Sequence, residues 1–234
     1  MKFKISFIGE IQAAWKSCWQ HKHFRVHFLF SFALFAAVIH LSCMYLSIWE
    51  TRAGISIIDP LLNRLPPREF SVQIFGIVHS SLLITLILFL ATPTKLVKAL
   101  QAYAVLLFLR TLFIYIFPLE APKGMIFLQD PITAFFLNSV NVVTKDLFFS
   151  GHISAMCLFV YFTDHKLWKT CLLVATPVLA MLILWQHVHY TIDIVAAPFF
   201  AFICCKLIDV VNERWEFGID AIENKQLEVS RNES

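Results

Sequence analysis

Two short stretches of this chain carry residues whose types and spacing could do chemistry: DLFFSGHISAMC at 146–157 and QHVHYTIDI at 186–194. In the second, His189 and Asp193 stand four apart, so on a helix they share one face. A carboxylate placed there accepts a hydrogen bond from one imidazole nitrogen, fixes the tautomer and leaves the other nitrogen free as a nucleophile or base. In the first, His152 offers a second proton-transfer group. Gly151 beside it permits close approach of a substrate or of another backbone, and Ser150 can donate to an anionic oxygen. Arg110, from a third segment, has the planar guanidinium fork that clamps oxyanions. Two histidines, a carboxylate and a cation around one pocket point to phosphoryl-group chemistry.

Plainer roles compete for each of these groups. A lone histidine in an apolar segment is often an interhelical hydrogen-bonder, and His40 and His79 read as helix-packing polar groups. Arg110 could snorkel to headgroups. His187 with His189 reads as an H-x-H metal pair that His152 and Asp193 could complete, but acidic or thiolate support is thin and no metal is assigned. Lys145 and Asp146 could pair at a water boundary, and Glu120 and Asp130 are most simply loop residues.

What must position these side chains is a membrane. The chain is 59% hydrophobic and only 15% charged, with 24 Phe, 6 Trp and a mean hydropathy of +0.71, well outside the range of ordinary soluble domains. Residues 26–49 and 72–92 contain no formal charge, and each is long enough to cross about 30 Å of hydrocarbon. Further spans are expected at about 99–117, 147–163, 171–188 and 189–209, the last two divided only by the polar QHVHYT. The expected fold is therefore all-α: a polytopic membrane protein with six transmembrane helices.

Orientation follows from the basic residues. Of the 19 Lys and Arg, most fall before span one (Lys2, Lys4, Lys16, Lys22, Arg25), between spans two and three (Lys95, Lys98), between four and five (Lys166, Lys169) and after six (Lys206, Arg214, Lys225, Arg231). The opposite side holds Arg52, Arg64, Arg68, Arg110, Lys123 and Lys145. Both termini are thus expected in the cytoplasm, and the net charge of +3 reflects topology rather than nucleic-acid binding. In that arrangement Arg110, His152, His189 and Asp193, from three helices, reach similar depth near the non-cytoplasmic face. Ionisable groups at such depth usually face a cavity, which turns the general phosphoryl reading into one on a lipid.

The domain layout reads as a cytoplasmic amphipathic segment at 1–25, a six-helix membrane domain with the site at 26–209, and a polar cytoplasmic tail at 210–234. The N-terminal segment does not resemble a cleavable signal. Ile5, Ile8, Ile11, Trp15 and Trp19 recur at helical spacing, which fits an interfacial helix or an extension of the first span. Two non-cytoplasmic loops are long. In 50–71, Asp59-Pro60 is a helix-start signal and Pro66-Pro67 ends what starts there. In 118–146, Asp130-Pro131 opens the apolar ITAFFLNSVNVV. The six cysteines show no C-x-x-C pair, and neither a disulfide nor a zinc cluster is expected.

DLFFSGH at 146–152 and HVHYTIDI at 187–194 resemble the third and fourth signature motifs of the sphingomyelin synthase family, within the wider lipid phosphate phosphatase superfamily. Hydropathy extends the resemblance over about 26–209. The resemblance implies a catalytic triad of His152, His189 and Asp193: His189 attacks the phosphorus of a headgroup and becomes a phosphohistidine, Asp193 orients it, and His152 manages the proton of the departing or incoming lipid hydroxyl. Arg110, Ser150, Gly151, Asp146 and Tyr190 are the candidate substrate-binding residues, and no cofactor or metal is implied. The early motifs are echoed only loosely, in LNRLPPREF (62–70) and LRTLFIYIFPLEAP (109–122). Lys145 and Ile153 depart from the synthase pattern at the flanks of DLFFSGH. Leu182 and Ile183 occupy the positions where the soluble-type phosphatases of the superfamily have Ser-Arg, which favours the synthase-like branch.

The expected activity is transfer of a phosphocholine- or phosphoethanolamine-type headgroup from a membrane phospholipid donor to a lipid-alcohol acceptor such as ceramide or diacylglycerol. The protein would be integral to the membrane, compatible with homo-oligomers, and without a nucleic-acid partner. The alternatives are a lipid phosphate phosphatase using water as acceptor and a non-catalytic lipid-binding member.

Overall fold

The computed structural model describes residues 2–128 and 144–214. The ITAFFLNSVNVV segment and most of the polar tail lie outside the described residues. Seven α-helices follow in order among them: α1 (Lys2–Gln20), α2 (Lys22–Thr51), α3 (Ser71–Leu90), α4 (Pro93–Ile116), α5 (Gly151–Phe162), α6 (Lys166–Trp185) and α7 (Thr191–Arg214), with a 3-10 turn at Leu62–Arg64.

Five of these, α2, α3, α4, α6 and α7, are long and apolar enough to cross a membrane, and α5 is a shorter apolar helix. The expected fourth span, 147–163, is therefore only partly helical. Its first residues form an irregular approach in which Phe148 has φ 105°. The helix proper begins at Gly151 and runs 12 residues, about 18 Å at 1.5 Å per residue. The break between the last two spans is also wider than hydropathy implied. α6 stops at Trp185 and α7 starts at Thr191, so His187 and His189 stand in a connecting turn.

α4 is the central helix, packed on α1, α2, α3, α5 and α7. It can be central because small residues line its contacts: Ala102 and Ala104 are wholly buried, as is Ala197 on α7, and small side chains let membrane helices approach closely. Its start is set by Pro93, which loses no hydrogen bond in a first helical turn. Leu29, Phe30 and Phe32 on α2, Leu83 on α3 and Val195 and Phe199 on α7 point outward and exposed. An apolar exterior of that extent belongs against lipid. Pro177 and Pro198 sit inside α6 and α7, as membrane helices tolerate.

α1 is a helix distinct from the first span, separated by extended backbone at His21. It lies across the α3–α4 turn: Trp15 Nε1 donates to Leu90 O at 2.9 Å, and Cys18 and Phe24 are buried with Val97. At the other end of the bundle the connections interlock. Ile55 and Leu119 form a parallel bridge, Arg68 N donates to Trp185 O at 2.9 Å and Ile126 N donates to Gln186 O at 3.1 Å. This loop end is where the site residues lie.

Candidate active site

The first turn of α7 explains how His189 and Asp193 meet even though His189 lies outside the helix. Asp193 occupies the third helical position, and its Oδ2 reaches back to accept from Tyr190 N at 3.2 Å. This is the returning half of a capping box, which satisfies one of the N–H groups a helix start leaves open. The same oxygen lies 3.2 Å from His189 Nδ1. A carboxylate oxygen only accepts, so Nδ1 carries the hydrogen and the lone pair is left on Nε2. His189 is 3% exposed and Asp193 is fully buried.

The SGH stretch is held against this turn by a main-chain bond, Ser150 N to Asp193 O at 3.1 Å. His152 and the His189–Asp193 pair thus belong to one locality built from the starts of α5 and α7. The half-buried ring of His152 meets Phe75 edge-on, centroids 5.9 Å apart, and Phe75 stacks on His79 at 5.4 Å. His79 therefore packs within α3 beside the site, whereas His40 faces outward from α2 and does not sit in a helix interface.

Arg110 is committed to the DLFF stretch. Its Nε donates to Phe149 O at 2.9 Å, its Nη1 to Asp146 Oδ2 at 2.8 Å and its Nη2 to Asp146 O at 2.9 Å. The guanidinium lies flat on Gly151, where an added Cβ would come within 3.2 Å of its central carbon. Asp146 therefore pairs with Arg110 and not with Lys145, whose Nζ goes to Arg52 O at 2.6 Å and Glu120 Oε1 at 3.0 Å. Here Arg110 fixes the backbone that leads into His152. The unusual φ at Phe148 is held by the same bonds and by aromatic stacking: Phe148 lies on Phe113 at 4.7 Å, and Phe149 on Phe200 at 4.7 Å. Ser150 is fully buried, and its Oγ has no hydrogen-bond partner among the described residues; the same is true of Asp193 Oδ1.

Two predicted residues are turned to other work. Tyr190 OH donates to Glu120 O at 3.0 Å and accepts from Ile57 N at 3.4 Å, tying both long loops over the site. Both ring nitrogens of His187 face backbone carbonyls, Lys123 O at 2.8 Å and Leu65 O at 2.9 Å. It cannot pair with His189 as a metal ligand in that orientation.

Other contributors carried no chemical signal in the sequence. Asp59 caps the 3-10 turn through Leu61 N and Leu62 N at 3.1 and 3.0 Å, as Asp59-Pro60 implied. It also accepts from Thr191 N at 2.6 Å and Thr191 Oγ1 at 3.0 Å, adding a second carboxylate to the start of α7. Burial pushes its pKa up, but the hydrogen bonds from Leu62, Thr191 and Leu61 together outweigh that and hold it below the ordinary carboxylate range. Gln186, fully buried, accepts from Phe70 N at 2.9 Å and donates to Ser71 Oγ at 2.8 Å. Glu120 takes Gly54 N at 2.7 Å, and that bond with the Lys145 ammonium holds its carboxyl low. Gly54 has no room for a side chain: a Cβ would lie 2.5 Å from Leu119 C.

The helices that could span a membrane thus carry a buried histidine–carboxylate pair and a second histidine at their loop end. Residues 145–210 match a family model described as PAP2 superfamily C-terminal. This supports placement of that region in the lipid phosphate phosphatase superfamily, whose members are typically enzymes of phosphoryl chemistry. The matched region contains both motifs and all of α5, α6 and the turn into α7. A comparison of the whole chain with curated proteins finds no match.

Proposed function

We propose that the protein is a lipid phosphotransferase of the sphingomyelin synthase type, moving a phosphocholine- or phosphoethanolamine-type headgroup from a glycerophospholipid to ceramide or diacylglycerol. The observation that carries this reading is the His189 Nδ1–Asp193 Oδ2 contact of 3.2 Å, with Asp193 O accepting from Ser150 N. His189 Nε2 attacks the phosphorus. The bond from phosphorus to the glyceride oxygen breaks, and that oxygen takes a proton from His152. Diacylglycerol leaves and the headgroup stays on His189. The acceptor hydroxyl then gives its proton to His152 and attacks the phosphorus, and the phosphorus–nitrogen bond breaks. Asp193 stabilises the positive charge that develops on His189. The distribution of basic residues supports a site on the non-cytoplasmic face.

The test is purified protein in vesicles with headgroup-labelled phosphatidylcholine and either ceramide or diacylglycerol. Label should move to the acceptor in wild type and not in His189→Ala, and an acid-labile labelled protein should accumulate when acceptor is withheld. Transfer that survives His189→Ala would overturn the mechanism. Release of water-soluble phosphate or phosphocholine without any lipid alcohol would establish hydrolysis in place of transfer.

A further inference from the structure

Between α2 and α4, just inside the loop end, lies a cavity of about 150 Å³ whose lining includes Ser42, Trp49, Leu107, Arg110, Thr111 and Asp146. An apolar cavity of that order takes up a molecule the size of benzene. Trp49 is 5% exposed, and its indole Nε1 has no hydrogen-bond partner among the described residues. A buried N–H without an acceptor is costly, and the cavity beside it is where an acceptor can sit. Asp146 lines the same space. Its Oδ2 is occupied by Arg110, while its carboxylate is 38% exposed and no described residue donates to Oδ1. Each nitrogen of Arg110 already donates to the 146–149 stretch. The wall therefore offers an indole donor, an open carboxylate oxygen and a cation whose charge is already paired with Asp146, which suits a neutral ligand better than a phosphate. Ser42 and Thr111 are satisfied by each other at 2.7 Å.

Trp49 stands two residues before the end of α2, and Arg110 six before the end of α4. At about 1.5 Å per residue the cavity lies within roughly 9 Å of the helix ends, the zone where acyl linkages of lipids lie if the loops occupy the headgroup region. We propose that this cavity binds a lipid alcohol in a waiting position, with the acyl carbonyl accepting from Trp49 Nε1 and the hydroxyl donating to Asp146 Oδ1, from which the hydroxyl moves past Arg110 to reach His152 before any transfer. That the bound lipid is the acceptor of transfer rests on the function proposed above; the binding itself does not. The far side of Arg110 packs on Gly151, next to His152, so the ligand occupies the α2–α4 side of the site.

The experiment uses full-length His189→Ala protein in phosphatidylcholine nanodiscs, so that turnover plays no part, with a diacylglycerol carrying a diazirine beside one ester. Cross-links should concentrate on residues 38–49 and 107–114, fall at least threefold with excess unlabelled diacylglycerol, and stay unchanged with added phosphatidylcholine. Trp49→Phe, which keeps the ring and removes the donor, should cut labelling about fivefold, the worth of one hydrogen bond. Leu107→Phe, which fills the cavity, should do the same and guards against a Trp49 variant that fails to fold. Labelling no denser there than at outward-facing Leu29, Phe30 and Phe32, or undiminished in both variants, would overturn the proposal, as would equal competition by phosphatidylcholine. None of these outcomes depends on whether wild type transfers or hydrolyses, which the vesicle assay decides.

Discussion

Asp193 does two jobs with one oxygen, capping the start of α7 through Tyr190 N and orienting His189. Asp193→Asn keeps the size but puts an amide where an acceptor is needed, so His189 loses its fixed tautomer. In the proposed transfer, kcat should fall about 10²–10⁴-fold with KM nearly unchanged, measured by headgroup transfer in vesicles. Gly151→Ala should be disruptive by a different route. A Cβ 3.2 Å from the Arg110 guanidinium makes a group held by three hydrogen bonds give by a few tenths of an ångström, and activity should drop measurably while Ala at the outward-facing Gly76, which meets nothing within 4 Å, leaves it unchanged. At this scale the sequence singles out His152, His189 and Asp193 because rare ionisable groups stand out against apolar surroundings, and the fold joins the starts of α5 and α7 through Ser150 N and Asp193 O. It did not disclose that Arg110 and Tyr190 face protein groups, because a guanidinium or a phenol can serve a ligand or a backbone equally well and only the fold decides. Nor could Asp59 be tied to Thr191, since nothing local links residues so far apart.

At the scale of elements, α7 starts under two carboxylates. Asp59 reaches it from the first long loop, so Asp59→Ala should cost about 1–2 kcal/mol, as loss of a helix cap does, read as a lower thermal midpoint in detergent. The pH dependence has a definite sign. The pKa values of Asp59 and Glu120 are lowered in the folded protein, so their contribution is complete above the unfolded carboxylate values near 4 and is lost as pH falls through the folded ones. Thermal midpoints should fall below about pH 4, and less steeply in Asp59→Asn. Spans were legible because hydropathy reports burial in lipid directly. Their ends were less so: 147–150 is as apolar as a helix, but Arg110 and the phenylalanine stack hold it in another shape, and QHVHYT became a full turn through the hydrogen bonds of Gln186 and His187.

For the whole molecule, the charge distribution predicts sidedness. In a background lacking the exposed Cys43 and Cys171, Arg64→Cys should react with an impermeant thiol reagent in intact cells or vesicles oriented with the loop end outward. Lys166→Cys should react only after permeabilisation. The reverse pattern would place the site on the cytoplasmic side. The overall all-helical membrane architecture could be read from composition, while the central place of α4 could not, since it depends on how alanines on α4 and α7 mesh.

The bonds from Ile57 and Asp59 to Tyr190 and Thr191 join residues 133 and 132 positions apart. During synthesis the first loop is made long before the turn it must hold, and Asp59 waits without its partner until the last helix has entered the bilayer. The His189–Asp193 pair is therefore assembled only once α7 has been made. A chain stopped after α6 would hold its helices without the bonds from Ile57 and Asp59 that close the loop end.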